Sequence, residues 1–170
     1  MNDAPATLVV CDAGPLIHLD ELKCLDLLAD FPRIIVPDVV WREVEHHRPN
    51  ALDHGGVRLE RLKPHQEPST ELVSLLRLFA LHAGEVQALQ LAQELRADLL
   101  LTDDTAARLA AKTLQVSAHG TLGVLLRAIR RKQRTPEEVL SVLHELAARS
   151  TLHIKRELLD EIIRQVEELP

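Results

Sequence analysis

Carboxylates stand at four comparable places in this chain, and each setting suggests more than solvation. Asp12 closes the apolar run Leu8-Val9-Val10-Cys11. A run without polar alternation reads as a strand buried on both faces. Gly14 then permits a tight turn, and Pro15 suits a first helical turn, where its missing N–H costs nothing. Asp12 therefore lies where a buried strand hands over to a helix, as the cap of that helix or as a ligand-binding group. Glu43 follows Val40 and Val39 by three and four residues, so it shares their helix face. A carboxylate there is costly unless it is paired, metal-bound or able to reach water. Glu85 opens a further helix, a place the macrodipole alone would favour. Asp103 and Asp104 follow Leu99-Leu100-Leu101-Thr102. Thr102 or Asp103 can cap the next helix, which leaves one acid surplus to capping.

Brought together, such groups repel. Two unit charges about 4 Å apart cost on the order of 4 kcal/mol at an effective dielectric of about 20. Protonation relieves this, and so does a hard divalent cation such as Mg2+ or Mn2+, which takes oxygen ligands. Such ions activate water and offset the charge on a transferring phosphoryl group. An all-carboxylate set points to phosphodiester chemistry rather than zinc chemistry. His46, His47 and His54 fall in and beside a polar loop, at spacings that match no compact zinc site.

The elements that must position these acids alternate along the chain. After the first strand, residues 15–30 read as helix with a break near Asp20-Glu21, and Arg33-Ile34-Ile35-Val36 as a second buried strand. Asp38 is placed to cap a helix over 39–47. Residues 57–62 alternate with period two, as an edge strand with one wet face does. Helices are expected from Ser69 or Thr70 to Leu81 and over 86–96, with His82-Ala83-Gly84-Glu85 as a break between them. A third buried strand spans 98–102, a helix 105–112, and a short strand 114–117. A helix then begins near Gly120-Thr121-Leu122-Gly123, with Thr121 as cap and Gly123 at a close helix–sheet contact. Two amphipathic helices follow, over 136–148 and 154–169. Strands alternating with helices predict an α/β fold whose mainly parallel sheet of about five strands is covered on both faces. In such a fold Asp12, Asp103 and Asp104 share one sheet edge.

Composition narrows the function. The chain has 170 residues, a net charge of −6 and few aromatics (Phe31, Trp41 and Phe79), so base-stacking platforms and generic polyanion binding are excluded. Arg127, Arg130 and Arg131 concentrate positive charge at a helix C-terminus, as a solvated end or as a phosphate-contact patch. Cys11 and Cys24 make no disulfide framework and fit a reducing cytoplasm. The first five residues carry no leader pattern, and no apolar run approaches a membrane span, so no membrane is expected.

These motifs meet a family. Leu8-Val9-Val10-Cys11-Asp12 with Pro15-Leu16-Ile17, Val36-Pro37-Asp38-Val39-Val40-Trp41-Arg42-Glu43-Val44, Gly84-Glu85-Val86-Gln87-Ala88-Leu89 and Leu100-Leu101-Thr102-Asp103-Asp104 follow in order. With Gly120-Thr121-Leu122-Gly123-Val124-Leu125-Leu126, the sequence resembles the PIN-domain proteins, metal-dependent ribonucleases that include VapC-type toxins. The last motif resembles one poorly characterised branch of them. The resemblance implies a PIN-like three-layer sandwich over residues 1–132, with a helical extension over 133–170 packed on the same domain. It implies catalytic acids Asp12, Glu43, Glu85 and Asp104, and metal ligands Asp12, Glu85, Asp103 and Asp104, with Thr102 and Thr121 in support. The implied cofactor is Mg2+ or Mn2+ and the implied substrate RNA, in a cytoplasmic homodimer silenced by a small antitoxin. Where VapC-type toxins carry Thr or Ser just after the first Asp, this chain has Ala13 and Gly14, and Ala106 and Ala107 stand where a further acid is common. Two other readings compete: a PIN-fold RNA-binding or assembly module that cleaves nothing, and a small-molecule phosphohydrolase, which lacks a Gly-rich phosphate loop here.

Overall fold

The structure is a computed structural model and describes residues 8–169; the N-terminal stretch read above for a leader lies outside them. Five parallel strands form one sheet in the order β3-β2-β1-β4-β5. They are β1 (Val9–Cys11), β2 (Ile34–Pro37), β3 (Leu59–Leu62), β4 (Leu99–Leu101) and β5 (Ala118–His119). The helices are α1 (Ala13–Glu21), α2 (Asp38–His47), α3 (Thr70–Phe79), α4 (Ala83–Glu94), α5 (Thr105–Thr113), α6 (Thr121–Arg130), α7 (Pro136–Arg149) and α8 (Arg156–Glu167). The expected α/β sandwich is therefore what this chain forms.

The strands need no polar alternation because both faces are covered. Val9, Cys11, Ile34, Val36, Leu99 and Leu101 belong to one apolar layer, together with residues of α1, α2, α6, α7 and α8. Val10, Ile35 and Leu100, the alternate positions, belong to a second layer with α3, α4 and α5. Period-two geometry divides each strand this way. Val139, Leu143, Leu146, Ile162 and Val166 of the last two helices are buried in the first layer.

Several boundaries differ from the sequence expectation. Helix α1 starts at Ala13 and stops at Glu21, where the break was expected, but beyond it residues 25–30 form a 3-10 turn after Lys23 adopts a left-handed φ of 57°. Asp38 lies inside the first turn of α2, where its side chain holds arginines instead of capping. Helix α4 begins at Ala83, so the expected break at residues 82–85 is its first turn. Strand β5 comes later than 114–117, because Gln115 turns the chain at φ 58° and pairing with β4 starts only at Ala118. Gly120, not Thr121, is the cap position of α6.

Candidate active site

The sheet winds outward in two directions, from β1 to β2 and β3, and from β4 to β5. The crevice beyond the strand ends, where the order reverses, is the ligand-binding place of open parallel sheets. Asp12 leaves β1 there and Thr102-Asp103 leaves β4. Register fixes the pair: Cys11 lies opposite Leu101, and the Asp12 backbone N–H donates to the Leu101 carbonyl at 2.8 Å.

Asp12 is 8% exposed. It stands at the N-cap position of α1 yet makes no capping bond with its side chain. Its Oδ2 instead accepts from the hydroxyl of fully buried Thr102 at 3.0 Å. Burial pushes its carboxyl up to about 6. Hydrogen bonds from Ala13 and Thr102 oppose this rise, and the charges of Glu85 and Glu43 add to it. The geometry thus answers the capping alternative: this carboxylate makes no capping bond further into α1.

Glu43 and Glu85 arrive from α2 and α4, which cross at Gly84. A Cβ at Gly84 would lie 3.2 Å from Val40 Cγ2, 3.6 Å from Glu43 Oε2 and 3.7 Å from Asp12 Oδ1. The missing side chain leaves open the space on which those two oxygens converge. Glu85 Oε2 accepts from the His82 backbone N–H at 2.7 Å, which settles the first turn of α4.

The adjacent acids after β4 divide their tasks in the reverse of the expected way. Asp104, not Thr102 or Asp103, caps α5, its Oδ1 accepting from Ala107 N–H at 2.7 Å. Asp103 is the surplus acid. Its Oδ1 accepts from Thr121 N–H and its Oδ2 from the Thr121 hydroxyl, both at 2.6 Å, and His18 Nδ1 donates to Oδ2 at 2.7 Å. Burial alone would raise this carboxyl, but the hydrogen bonds from His18 and Thr121 outweigh it and hold it below the usual range. A Cβ at Gly120 would stand 2.5 Å from Asp103 Oδ1 and 3.2 Å from the Thr102 carbonyl, so any side chain here must displace Asp103.

All five acids line one cleft of about 370 Å³. Its wall also contains His18, His82, Gly84 and the segment Thr151-Leu152-His153, none of which sequence reasoning singled out as site residues. Gly84 beside Glu85 in a first helical turn was a readable signal; a connector some 50 residues beyond the last acid carried none. Thr102 and Thr121, both fully buried, support the acids from behind. Arg127, Arg130 and Arg131 are not brought to the cleft. They lie in and after the last turn of α6, roughly 9–15 Å along its axis from Thr121. There Arg127 Nη2 and Arg131 Nε pair with Asp30 at 2.6 and 3.2 Å, and Arg127 lies 4.8 Å over the Phe31 ring.

The five acids offer oxygen donors, which suit hard divalent cations, beside the ring nitrogens of His18, His82 and His153 in the same wall. Burial keeps the nearby Cys11 thiol well above its ordinary pKa, so it adds no soft ligand. Among the described residues, no three His, Cys, Asp or Glu side chains are drawn into a closed cage. Asp103, Asp104 and Glu85 each give an oxygen to the protein's own donors. The Asp12 and Glu43 oxygens over Gly84 nonetheless suit Mg2+ or Mn2+, which keep several waters and need few carboxylates.

A family model described as a PIN domain matches residues 8–168, a span that holds every acid of the cleft and the connector beside it. No curated protein matches the chain.

Proposed function

Because this chain belongs to the PIN-domain family, a nuclease-type fold, we propose that it is a divalent-metal-dependent endoribonuclease, the toxin of a type II toxin–antitoxin pair. The observation that carries this reading is the meeting of Asp12, Glu43, Glu85, Asp103 and Asp104 around one cleft at the reversal point of the sheet. Asp12 and Glu43 would hold Mg2+ or Mn2+ directly, with Glu85 and Asp104 lining the same cleft. The ion, when bound, supplies Lewis acidity toward the phosphodiester and the attacking water. Thr102 fixes one oxygen of Asp12 and leaves Oδ1 to the cleft. Exposed Glu43 is placed to accept a hydrogen bond from water and orient it. Asp103, held by Thr121 and His18, ties α6 and α1 to the cleft and acts as a positioning residue. Two buried, unpaired cysteines accord with a cytoplasmic setting, and a homodimer with an antitoxin partner completes the proposal.

The absence of a closed cage among the described residues favours one second reading, a PIN-fold RNA-binding module that cleaves nothing. Thermal melting with and without Mn2+ or Mg2+, on wild type and Asp12→Asn, separates the two. A native-state ligand stabilises by mass action, about 2.7 kcal/mol at a hundredfold excess over its Kd. The enzyme reading expects a metal-dependent rise in the wild-type midpoint, none in Asp12→Asn, and RNA cleavage that disappears with the variant. No response in either protein at millimolar metal leaves the non-catalytic module.

A further inference from the structure

The strand-end edge that carries the acids continues past β1 to β2 and β3, and there its charge reverses. Asp38, first residue after β2, is only 7% exposed. Three cations converge on it. Arg42 Nη2 reaches Oδ2 at 2.5 Å, Arg61 Nη2 reaches Oδ1 at 2.6 Å, and Lys63 Nζ stands 4.0 Å from Oδ2. The register sets this up, since Pro37 pairs with Leu62 and so brings Lys63 beside Asp38. The counter-ion is buried while the cations are not: Arg42 is 61% exposed, Arg61 41% and Lys63 75%. Each guanidinium directs two nitrogens at Asp38, out of five N–H donors. The rest of both groups, and the Lys63 ammonium, are open to water. A hollow of about 360 Å³ beside them is lined by Asp38, Arg42, Lys63, Glu67, Gln87 and Gln90.

Arg42 and Glu43 are neighbours on α2, and Gln87 and Glu85 share α4. The three cations with their hollow and the acidic cleft therefore flank the same α2–α4 crossing. We propose that Arg42, Arg61 and Lys63 form a phosphate-binding subsite for single-stranded RNA, gripping backbone phosphates next to the one held among the acids. Asp38 fixes the two arginines in place, as a buried carboxylate does for a planar fork. The division of labour follows from charge. A phosphodiester chain approaching five carboxylates is repelled, and this cluster is a counterweight on the same sheet edge. The assignment rests on the ribonuclease reading.

The test is binding of a fluorescently labelled single-stranded RNA by anisotropy across a salt series, in EDTA so that nothing is cleaved. Wild type is compared with Arg42→Gln/Lys63→Gln, which leaves Arg61 on Asp38. Each lost phosphate contact lowers the salt slope by about 0.7 for a single strand, so the double variant should lose about 1.4. It should bind about tenfold more weakly at low salt, with its Mn2+ melting response intact. If wild type binds and cleaves RNA while the variant binds with the same affinity and slope, the subsite is overturned and the ribonuclease reading stands. If wild type neither binds nor cleaves RNA, both fall together.

Discussion

Asp12 is charged at neutral pH against the preference of its surroundings. Burial lifts its carboxyl from 3.8 to about 6, so the folded protein binds this proton more tightly than the unfolded chain does. The contribution to stability is full below about 3.8 and is lost as pH rises through 6. The loss corresponds to about 3 kcal/mol at pH 7. Asp12→Asn, which still accepts from Thr102, should therefore melt several degrees higher than metal-free wild type at pH 7, with the difference closing near pH 4. An unchanged midpoint would mean that Asp12 is better solvated than its burial implies. The glycines make separate predictions. Gly120→Ala drives a methyl against Asp103 Oδ1 and the backbone at Thr102, and should cost about 1–3 kcal/mol in urea unfolding. Gly84→Ala meets Val40 at 3.2 Å, so the fold should survive, but the methyl enters the space between Asp12 and Glu43. A weaker Mn2+ melting shift with a small stability change is the expected signature.

At the scale of elements, the connector between α7 and α8 packs Leu152 and Ile154 on the core and is tied to α1 through one residue. Glu21, at the end of α1, accepts from Ser150 Oγ at 2.9 Å, Thr151 N–H at 2.7 Å and the Thr151 hydroxyl at 2.9 Å. Burial would raise this carboxyl, but these bonds prevail and hold it low. Glu21→Ala should speed amide exchange and proteolysis across residues 150–155 while β1 stays protected; uniform protection would show that apolar packing alone seats the connector. This wall was invisible in the sequence because it depends on a contact between residues about 130 apart. The buried strands were legible, since unbroken apolar runs end at Asp12 and Thr102. So was the presence of one acid beyond capping needs after β4. Which of the two it was depended on Thr121 and His18 arriving from other elements. The start of α4 was misread because Gly84 signals a break locally, while in the fold it sits in the first helical turn, close against Val40.

For the whole molecule, all strands run parallel, so every strand-to-helix junction opens on one edge. The last two helices are bound to this arrangement through Val139, Leu143, Leu146, Ile162 and Val166, which share the layer of Leu16 and Val124. Removing residues 133–170 should expose that layer and yield aggregation or loss of cooperative melting, rather than an independently stable core. Intact chain should unfold in one transition, with circular dichroism and calorimetry coincident. Trp41 gives this edge an optical property. It is the only tryptophan, half-buried on α2, and the Arg61 guanidinium lies 5.9 Å over its ring. Its emission therefore comes from a single point beside Arg61, and a phosphate settling on that guanidinium would change the surroundings of the one indole.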